Sequence, residues 1–212
     1  MIFKLFFLIL FINSFCSFSQ QRNTLLKFKP YKLGIFYGYG NEENFLFNDK
    51  DYAYKTEVIK VTIHYPISEG FFQFELNLQP QVHFIEHQLL NEYFVLTTDE
   101  NYEENRVLFT KKKSMQLYAI QFELLVKRKI SRKLEGYAFM GIGPAVIDTE
   151  TERVAKGFTI IENLGIGISY EISNNLLFDI KPNFNHVSNA QIKLPNSGYN
   201  TFGIEIGLSI KL

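Results

Sequence analysis

The sequence predicts an all-β fold, a roughly eight-stranded antiparallel up-and-down transmembrane β-barrel. Three observations predict it. Apolar and polar residues alternate with a period of two in many segments, whereas no segment after the N-terminus has a convincing helical period. Short turns and long polar links alternate between these segments, as they do at the two ends of an outer-membrane barrel. The polar faces consist mostly of Gly, Ser, Asn and Gln, side chains that fit a narrow lumen.

The N-terminus has the pattern of a secretion signal. Lys4 gives a short basic start, an apolar run covers residues 5–12, and small residues with cleavage-site spacing follow. We therefore predict a signal peptide over residues 1–19 and a barrel over residues 20–212. The apolar run is too short for a membrane-spanning helix. The single cysteine, Cys16, lies inside the signal, so the mature chain has no disulfide to stabilise it.

The predicted strands differ in how closely they follow the alternation. It is clearest in residues 72–84 and 201–212, where apolar residues occupy every second position. Further segments fit the same template less closely, namely residues 32–40, 56–66, 116–127, 136–147, 158–170 and 176–188. The even total is that of a single-chain outer-membrane barrel, so we expect the protein in the bacterial outer membrane after its signal is cleaved.

The links between these strands alternate in length. Short turns are expected at residues 67–70, 128–133 and 173–175, and longer polar loops at residues 41–51, 88–113, 148–157 and 189–199. Alternation alone does not say which face points inward, because a soluble lipocalin-like barrel has the same period with its apolar face inside. The small polar face and the nearly unbroken apolar face favour the membrane barrel.

Three prolines, Pro80, Pro144 and Pro182, lie inside strand patterns. Because proline lacks the N–H that a β-ladder needs, each predicts either a bulge or a local break in pairing. A bulge at Pro182 would re-aim the end of the strand that follows it.

The stretch from His186 to Asn200 contains residue types suited to a hydrolytic site. His186 and Ser188 are two residues apart in one predicted strand, and the parity of that strand puts both on the apolar, lipid-facing side. Asn200 has the same outward parity in the next strand and falls roughly opposite them. Polar side chains on this face are tolerated only near the edge of the bilayer. Three polar side chains are therefore expected to converge on one patch of the outer wall.

These residue types suit nucleophilic catalysis of ester hydrolysis. A serine needs an adjacent base to attack an ester, and the base needs a third group that holds its tautomer. Ser188, His186 and Asn200 fit these roles in that order. Asn189, by its side chain or its backbone amide, is a candidate donor to the developing oxyanion. The alternative is that His186 and Ser188 are rim residues with hydrogen-bonded side chains and no chemical role.

A family resemblance rests on the last two predicted strands and the link between them. The residues that carry it are His186-Val187-Ser188-Asn189-Ala190, followed by Pro195-Asn196-x-Gly198. They resemble the signature of the outer-membrane lipid A 3-O-deacylase (PagL-type) family. The resemblance implies a small barrel that hydrolyses an ester-linked acyl chain of lipid A at the outer leaflet, without a metal or an organic cofactor. It implies Ser188 as nucleophile, His186 as base and Asn189 as oxyanion donor.

Two residues depart from the pattern of that family. Gln191 stands where the family usually has Gly, and Asn200 stands where its best-known members have a Glu as the third member of the triad. Asparagine can orient an imidazole but cannot stabilise the imidazolium with a full charge, so either reduced activity or a different substrate is expected. Glu205 is not a substitute, because its parity directs it into the lumen.

Two functions remain open at this stage. The first is a carboxylic ester hydrolase, a lipid A deacylase, whose partners are lipid A or lipopolysaccharide and the surrounding outer-membrane lipid. The second is a non-enzymatic outer-membrane barrel with a structural or binding role and an inert His–Ser pair. Basic and acidic residues number 22 each, so bulk charge does not indicate a nucleic-acid partner. The sequence leaves open whether the barrel forms a homodimer and which acyl position is cleaved.

Overall fold

The chain folds into a closed barrel. The computed structural model describes residues 29–42 and 50–212, so the predicted signal peptide lies outside the described residues. Within them, eight strands pair in sequence order, each antiparallel to its neighbours, and the first pairs with the last. The strands are β1 Lys32–Asn41, β2 Tyr52–Ser68, β3 Gln73–Leu89, β4 Lys113–Lys129, β5 Leu134–Ile147, β6 Gly157–Glu171, β7 Leu176–Ser188 and β8 Tyr199–Lys211. The predicted up-and-down barrel is confirmed.

The links between strands alternate in length, as the sequence predicts. Short turns join β2 to β3, β4 to β5 and β6 to β7 at one end, which we call the turn end. Longer segments join β1 to β2, β3 to β4, β5 to β6 and β7 to β8 at the opposite end, which we call the loop end. The candidate site residues lie at the loop end, because β7 finishes there and β8 begins there.

The outer wall of the barrel is apolar and the lumen is polar. On β8, Ile206 is 47% exposed whereas its neighbour Glu205 is 3% exposed. On β1, Ile35 is exposed and Lys32 is buried in the lumen. A soluble barrel hides its apolar face inside, so this arrangement is that of a membrane barrel and excludes the lipocalin-like alternative.

Charged side chains pair with one another across the lumen. Nζ of Lys181 lies 2.6 Å from Oε2 of Glu123, and Nζ of Lys60 lies 2.9 Å from Oε1 of Glu205. Asn and Gln side chains of β3 donate further hydrogen bonds to Glu123. Because an unpaired buried charge is costly, this pairing is what allows a narrow lumen to be filled with polar groups.

The alternation reverses at the loop end. Strand β2 begins at Tyr52 and β3 continues to Leu89, both beyond their predicted limits. In these extensions the outward residues, such as Lys55 and Glu86, are charged and exposed. The inward residues are buried and, apart from His87, apolar. The inward cluster, which we call the loop-end core, consists of Tyr52, Tyr54, Ile85, Met115, Leu117, Ala119, Ala145, Ile147, Val154, Ile161, Val187 and Tyr199. Packed apolar side chains therefore fill this end of the lumen.

The three prolines inside strands interrupt pairing without changing the register. Pro80 has no paired residue on β2, Pro144 has none on β4 and Pro182 has none on β6. The residues on either side of each gap keep one register, so the irregularity is a break in the ladder and not a bulge. Among the described strands a register shift is found elsewhere, between Pro66 and Ser68. The end of β7 is therefore not re-aimed by a bulge at Pro182.

The β3–β4 link contains a helix that the sequence pattern does not predict. This helix, α1, spans Tyr102–Phe109 and follows a 3₁₀ turn at Glu92–Phe94. Arg106 donates a hydrogen bond of 2.9 Å to the carbonyl of Val95 and so ties the two segments together. With only 8 residues, α1 is too short for a helical period to stand out among polar residues. Neither helix in the described part of the chain is long and apolar enough to cross a membrane.

Candidate active site

His186 and Ser188 lie at the end of β7 with the orientation that parity predicts. Both are half-buried and on the outward side, while Val187 between them is buried in the loop-end core. The backbone carbonyl of Ser188 accepts a hydrogen bond of 2.7 Å from the hydroxyl of Thr159 on β6. The strand end is thus held from the inside by packing and from the side by a hydrogen bond.

Asn200 contacts His186 directly. The two residues are register partners across β7 and β8, and Nδ1 of His186 lies 2.7 Å from Oδ1 of Asn200. Because an amide oxygen only accepts hydrogen bonds, Nδ1 must carry the proton, which leaves the lone pair of the imidazole on Nε2. Asn200 is itself fixed, since the hydroxyl of Tyr52 bonds both its N–H and its carbonyl at 3.1 Å. The predicted contact across the hairpin is present.

His186 and Ser188 share the outward side of β7 but do not bond each other. Within residues 29–42 and 50–212, no hydrogen bond joins the Ser188 hydroxyl to the imidazole. Catalytic hydrogen bonds are often long or poorly aligned before substrate binds, so this geometry does not remove Ser188 as a nucleophile.

Asn189 uses its hydrogen-bond donors within the β7–β8 loop. Its backbone N–H donates to Oδ1 of Asn196 at 2.6 Å, and its side-chain nitrogen Nδ2 donates to the carbonyl of Lys193 at 2.6 Å. The second Nδ2 contact, with the carbonyl of Pro195, is long at 3.4 Å. Asn196 is a site residue that the strand pattern does not reveal, because its contact with Asn189 depends on how the loop folds.

The loop residues after Ser188 adopt backbone conformations that favour glycine. Gln191 has a φ of 64° and Ala190 a φ of 52°, both in the left-handed region. The departure from glycine at Gln191 therefore falls at a position where glycine is the unstrained residue. Gly198, with a φ of 70°, packs against the His186 ring, since a Cβ added to it would lie 2.8 Å from Cε1.

The β5–β6 loop is joined to the β7–β8 loop by backbone hydrogen bonds. The N–H of Ala155 donates to the carbonyl of Pro195 at 2.9 Å, and the N–H of Gly198 donates to the carbonyl of Arg153 at 3.1 Å. The guanidinium of Arg153 is buried 4.2 Å from the ring of Tyr52. These bonds fix the loop that carries Gly198 against the rest of the barrel.

An apolar groove runs along the outer wall from His186 toward the turn end. Its volume is about 630 Å³, and its lining extends from β2 to β7. His186 and Glu162 form its polar end, and Phe184, Leu164, Met140 and Leu124 are among the residues along its length. The imidazole thus stands where a long apolar groove begins.

The other residues considered from the sequence lie away from this patch. Glu205 faces the lumen and pairs with Lys60 at 2.9 Å, so it is not a partner of His186. His83 is buried in the lumen as parity predicts, and His87 lies 2.9 Å from Glu152 under the loops. Within the described residues, no group of three or more His, Cys, Asp or Glu side chains is arranged to hold a metal ion.

An apolar outer wall, a polar lumen and a closed eight-stranded sheet define an outer-membrane β-barrel protein. The sequence model of the Lipid A 3-O-deacylase (PagL) family matches residues 73–209, which is well over half of the chain. The chain therefore belongs to the lipid A 3-O-deacylase (PagL) family. No curated protein matches it.

One solved structure supports the fold, and others are similar at lower TM-scores. The crystal structure of the outer membrane enzyme PagL has a TM-score of 0.55 at 9% sequence identity, covering 83% of this chain and 97% of that one. Neisserial surface protein A (NspA) follows with a TM-score of 0.46 at 14% identity, covering 86% of this chain and 97% of that one. OprG from Pseudomonas aeruginosa has a TM-score of 0.43 at 10% identity, covering 89% of this chain and 99% of that one. At these identities, the likeness to PagL concerns the fold alone.

Proposed function

We propose that the protein is a carboxylic ester hydrolase that removes an ester-linked acyl chain from lipid A in the outer leaflet. The observation that carries the proposal is the 2.7 Å contact between Nδ1 of His186 and Oδ1 of Asn200 on the lipid-facing wall, with Ser188 on the same face. Membership of the lipid A 3-O-deacylase family supports lipid A as the substrate. The reaction needs no metal or organic cofactor.

The proposed reaction has two stages. The oxygen of Ser188 bonds to the acyl carbon of the ester while its proton passes to Nε2 of His186. The tetrahedral intermediate then breaks its bond to the sugar oxygen, which leaves as an alcohol with the proton from Nε2. In the second stage, water attacks the acyl-enzyme with His186 as base. A free fatty acid leaves and the serine hydroxyl is restored.

Asn189 is the proposed donor to the oxyanion of the tetrahedral intermediate. Its Nδ2 group carries two hydrogens, one held at 2.6 Å by the carbonyl of Lys193 and one at 3.4 Å from the carbonyl of Pro195. Because a contact of 3.4 Å is weak, the second hydrogen is the one left to donate to an oxyanion. The strong bond to Lys193 keeps the amide plane in place.

The apolar groove is the proposed site for the acyl chain. It begins at His186, so a chain that lies in it presents its ester carbonyl to the imidazole and to Ser188. Burial of methylene groups contributes about 0.8 kcal/mol each when they leave water, but a chain already in lipid gains little from this term. The groove therefore acts by orienting the ester and not by attracting the lipid.

The proposal is tested by replacing the nucleophile. Ser188→Ala should reduce deacylation by roughly 10⁴ or more while the barrel stays folded. Mass spectrometry of lipid A from cells that make the parent or the variant reports the loss of an acyl chain, and the mobility of unheated samples on detergent gels reports folding. Ser114→Ala is the matched control, because Ser114 is an exposed serine at the loop end of β4.

Two results would contradict the proposal. If cells with the parent protein contain unmodified lipid A, the barrel acts in some other way, as a structural or binding protein. If folded Ser188→Ala deacylates lipid A as fast as the parent, Ser188 is not the nucleophile.

A further inference from the structure

Glu162 faces His186 across β6 and β7. The two are register partners, as are His186 and Asn200 across β7 and β8, so the three residues form one row over three strands. All three have outward parity, which puts their side chains on the same side of the wall. Partners in an antiparallel pair have Cβ atoms about 4.5–5.5 Å apart. A glutamate in this position can therefore bring its carboxylate within ionic range of the imidazole.

The carboxylate of Glu162 is exposed and makes no hydrogen bond or ion pair within the described part of the chain. Another outward acid at the loop end is paired, since Glu86 lies 2.8 Å from Lys112. An unpaired carboxylate that faces lipid is unfavourable toward the centre of the bilayer. The unpaired carboxylate of Glu162 can therefore serve as the partner of a positive charge that forms next to it only during the reaction.

His186 becomes such a cation in the proposed mechanism. When Ser188 gives its proton to Nε2, the ring is positively charged and carries a proton on both nitrogens. Asn200 holds the Nδ1 proton with a neutral amide and supplies no negative charge to the ring. Stabilisation of the imidazolium therefore needs a carboxylate from another element.

The remaining charged groups near His186 do not supply this charge. On β8 and in the β5–β6 and β7–β8 loops they include Glu205, Glu150, Arg153 and Lys193. A further acid, Glu152, is buried and lies 2.9 Å from Nε2 of His87. Glu205 points into the lumen, where it pairs with Lys60. Glu150 lies 3.9 Å from Lys193, and Arg153 is itself positive. Glu162 is the acid that shares the outward face and the row of His186.

We propose that Glu162 is a positioning residue that stabilises the imidazolium of His186 from β6, while Asn200 fixes the tautomer from β8. The inference rests on the proposed function, because the imidazolium forms only if His186 takes the proton of Ser188. Glu162 exchanges no proton in this mechanism. The proton on Nε2 passes to the leaving alcohol, after which Glu162 again faces a neutral ring.

The experiment compares the parent with Glu162→Gln, both as full mature chains refolded in detergent. One readout is release of fatty acid from lipid A in mixed micelles, and the other is the rate at which an alkyl fluorophosphonate labels Ser188. We expect Glu162→Gln to lower kcat by about tenfold with little change in KM, equivalent to about 1.4 kcal/mol of transition-state stabilisation. Labelling should slow by a similar factor, because it uses the same base.

Two further variants separate charge from packing. Glu162→Asp should recover part of the lost rate, because it restores the carboxylate with a shorter side chain. Adding Asn200→Glu to Glu162→Gln should recover more, because the negative charge then reaches the imidazole from β8. Glu57→Gln is the matched control, since it removes an exposed carboxylate at the loop end of β2 and should leave both rates at the parent level.

The two readouts separate failure of this inference from failure of the proposed function. If Ser188→Ala abolishes both rates and Glu162→Gln changes neither, Glu162 has no role and the proposed function stands. If the parent is labelled at Ser188 but leaves lipid A intact, lipid A is not the substrate, and the labelling rates alone decide on Glu162. If Ser188 of the folded parent is neither labelled nor active, both proposals are wrong.

Discussion

At the scale of single residues, the contact between His186 and Asn200 sets what the site can do. An amide oxygen 2.7 Å from Nδ1 holds the proton there and keeps Nε2 available as a base. In serine hydrolase triads an acid in this place also stabilises the imidazolium. Asn200 performs the first of these roles and supports the second only weakly, because its amide oxygen has no full charge. Its removal should therefore affect the transition state more than substrate binding.

Asn200→Ala should lower kcat by at least about tenfold and change KM little, because the interaction that is lost grows as the imidazolium forms. The fold should survive, since Tyr52 bonds the backbone of Asn200 and not its side chain. Steady-state kinetics on refolded protein is the measurement. Asn185→Ala, the same substitution beside His186 but on the lumen face, should retain activity. Parent-like turnover by Asn200→Ala would leave Asn200 as a strand residue without a role in the reaction.

Parity predicts the direction of His186, Ser188 and Asn200 from the sequence, because alternation fixes where a side chain points once its strand is known. The same rule could not single out Glu162. Its relation to His186 depends on the register between β6 and β7, which the sequence pattern leaves undefined. The hydrogen bonds of Asn189 could not be predicted from the sequence either, because they depend on the fold of a loop whose residues Ala190 and Gln191 are left-handed.

At the scale of elements, two loops act together to hold the site. The β5–β6 loop forms hydrogen bonds to the β7–β8 loop through Arg153 and Ala155. Gly198 of the β7–β8 loop packs against the imidazole of His186. The position of the histidine ring is therefore set by its own strand, by β8 and by a glycine in the loop between them. A side chain at that glycine would disturb the ring directly.

Gly198→Ala should lower kcat by about tenfold or more, because the added Cβ would lie 2.8 Å from Cε1 of His186 and 3.0 Å from the carbonyl of Val187. The φ of 70° adds backbone strain of roughly 1–3 kcal/mol for a residue with a Cβ. Kinetics and the rate of fluorophosphonate labelling report the effect. The neighbouring Ser197→Ala is the control and should behave like the parent. Full activity of Gly198→Ala would mean that the ring has room to move.

The ends of the strands could not be predicted as well as their middles. Alternation identifies a strand where the outside is lipid and the inside is polar. Beyond the membrane the outside is water, so the preference inverts, as it does at Lys55 and Tyr54 on β2. A prediction that assumes lipid along the whole outer surface therefore begins β2 too late and ends β3 too early. It also does not reveal the loop-end core. Helix α1 was missed because its 8 residues are too few to show a helical period.

At the scale of the whole molecule, the lumen is where stability depends on charge. Glu123 is fully buried and receives Lys181 at 2.6 Å together with amide donors from β3. Removal of one member of a buried pair leaves an uncompensated charge, whereas exposed pairs contribute little. Loss of a lysine should therefore lower the free energy of unfolding much more in the lumen than at the exposed surface.

Lys181→Met should lower the free energy of unfolding by about 3–5 kcal/mol, because Glu123 is left buried without its cation. Lys112→Met is the control, since Lys112 pairs with Glu86 at 2.8 Å but both side chains are exposed, and its loss should be about 1 kcal/mol or less. Urea unfolding of both variants in lipid vesicles is the measurement. Equal stability of the two variants would mean that the lumen pair contributes no more than an exposed one.

The outward direction of His186 and Ser188 determines how a substrate meets them. Side chains on the wall of a barrel are reached by lateral movement within one leaflet, so encounter is a search in two dimensions. Its frequency follows the number of target molecules per unit area of membrane and not their concentration in the surrounding solution. Diluting the target with inert lipid therefore slows such a reaction even when the amount in the sample is unchanged. An apolar product released there enters the bilayer without crossing water.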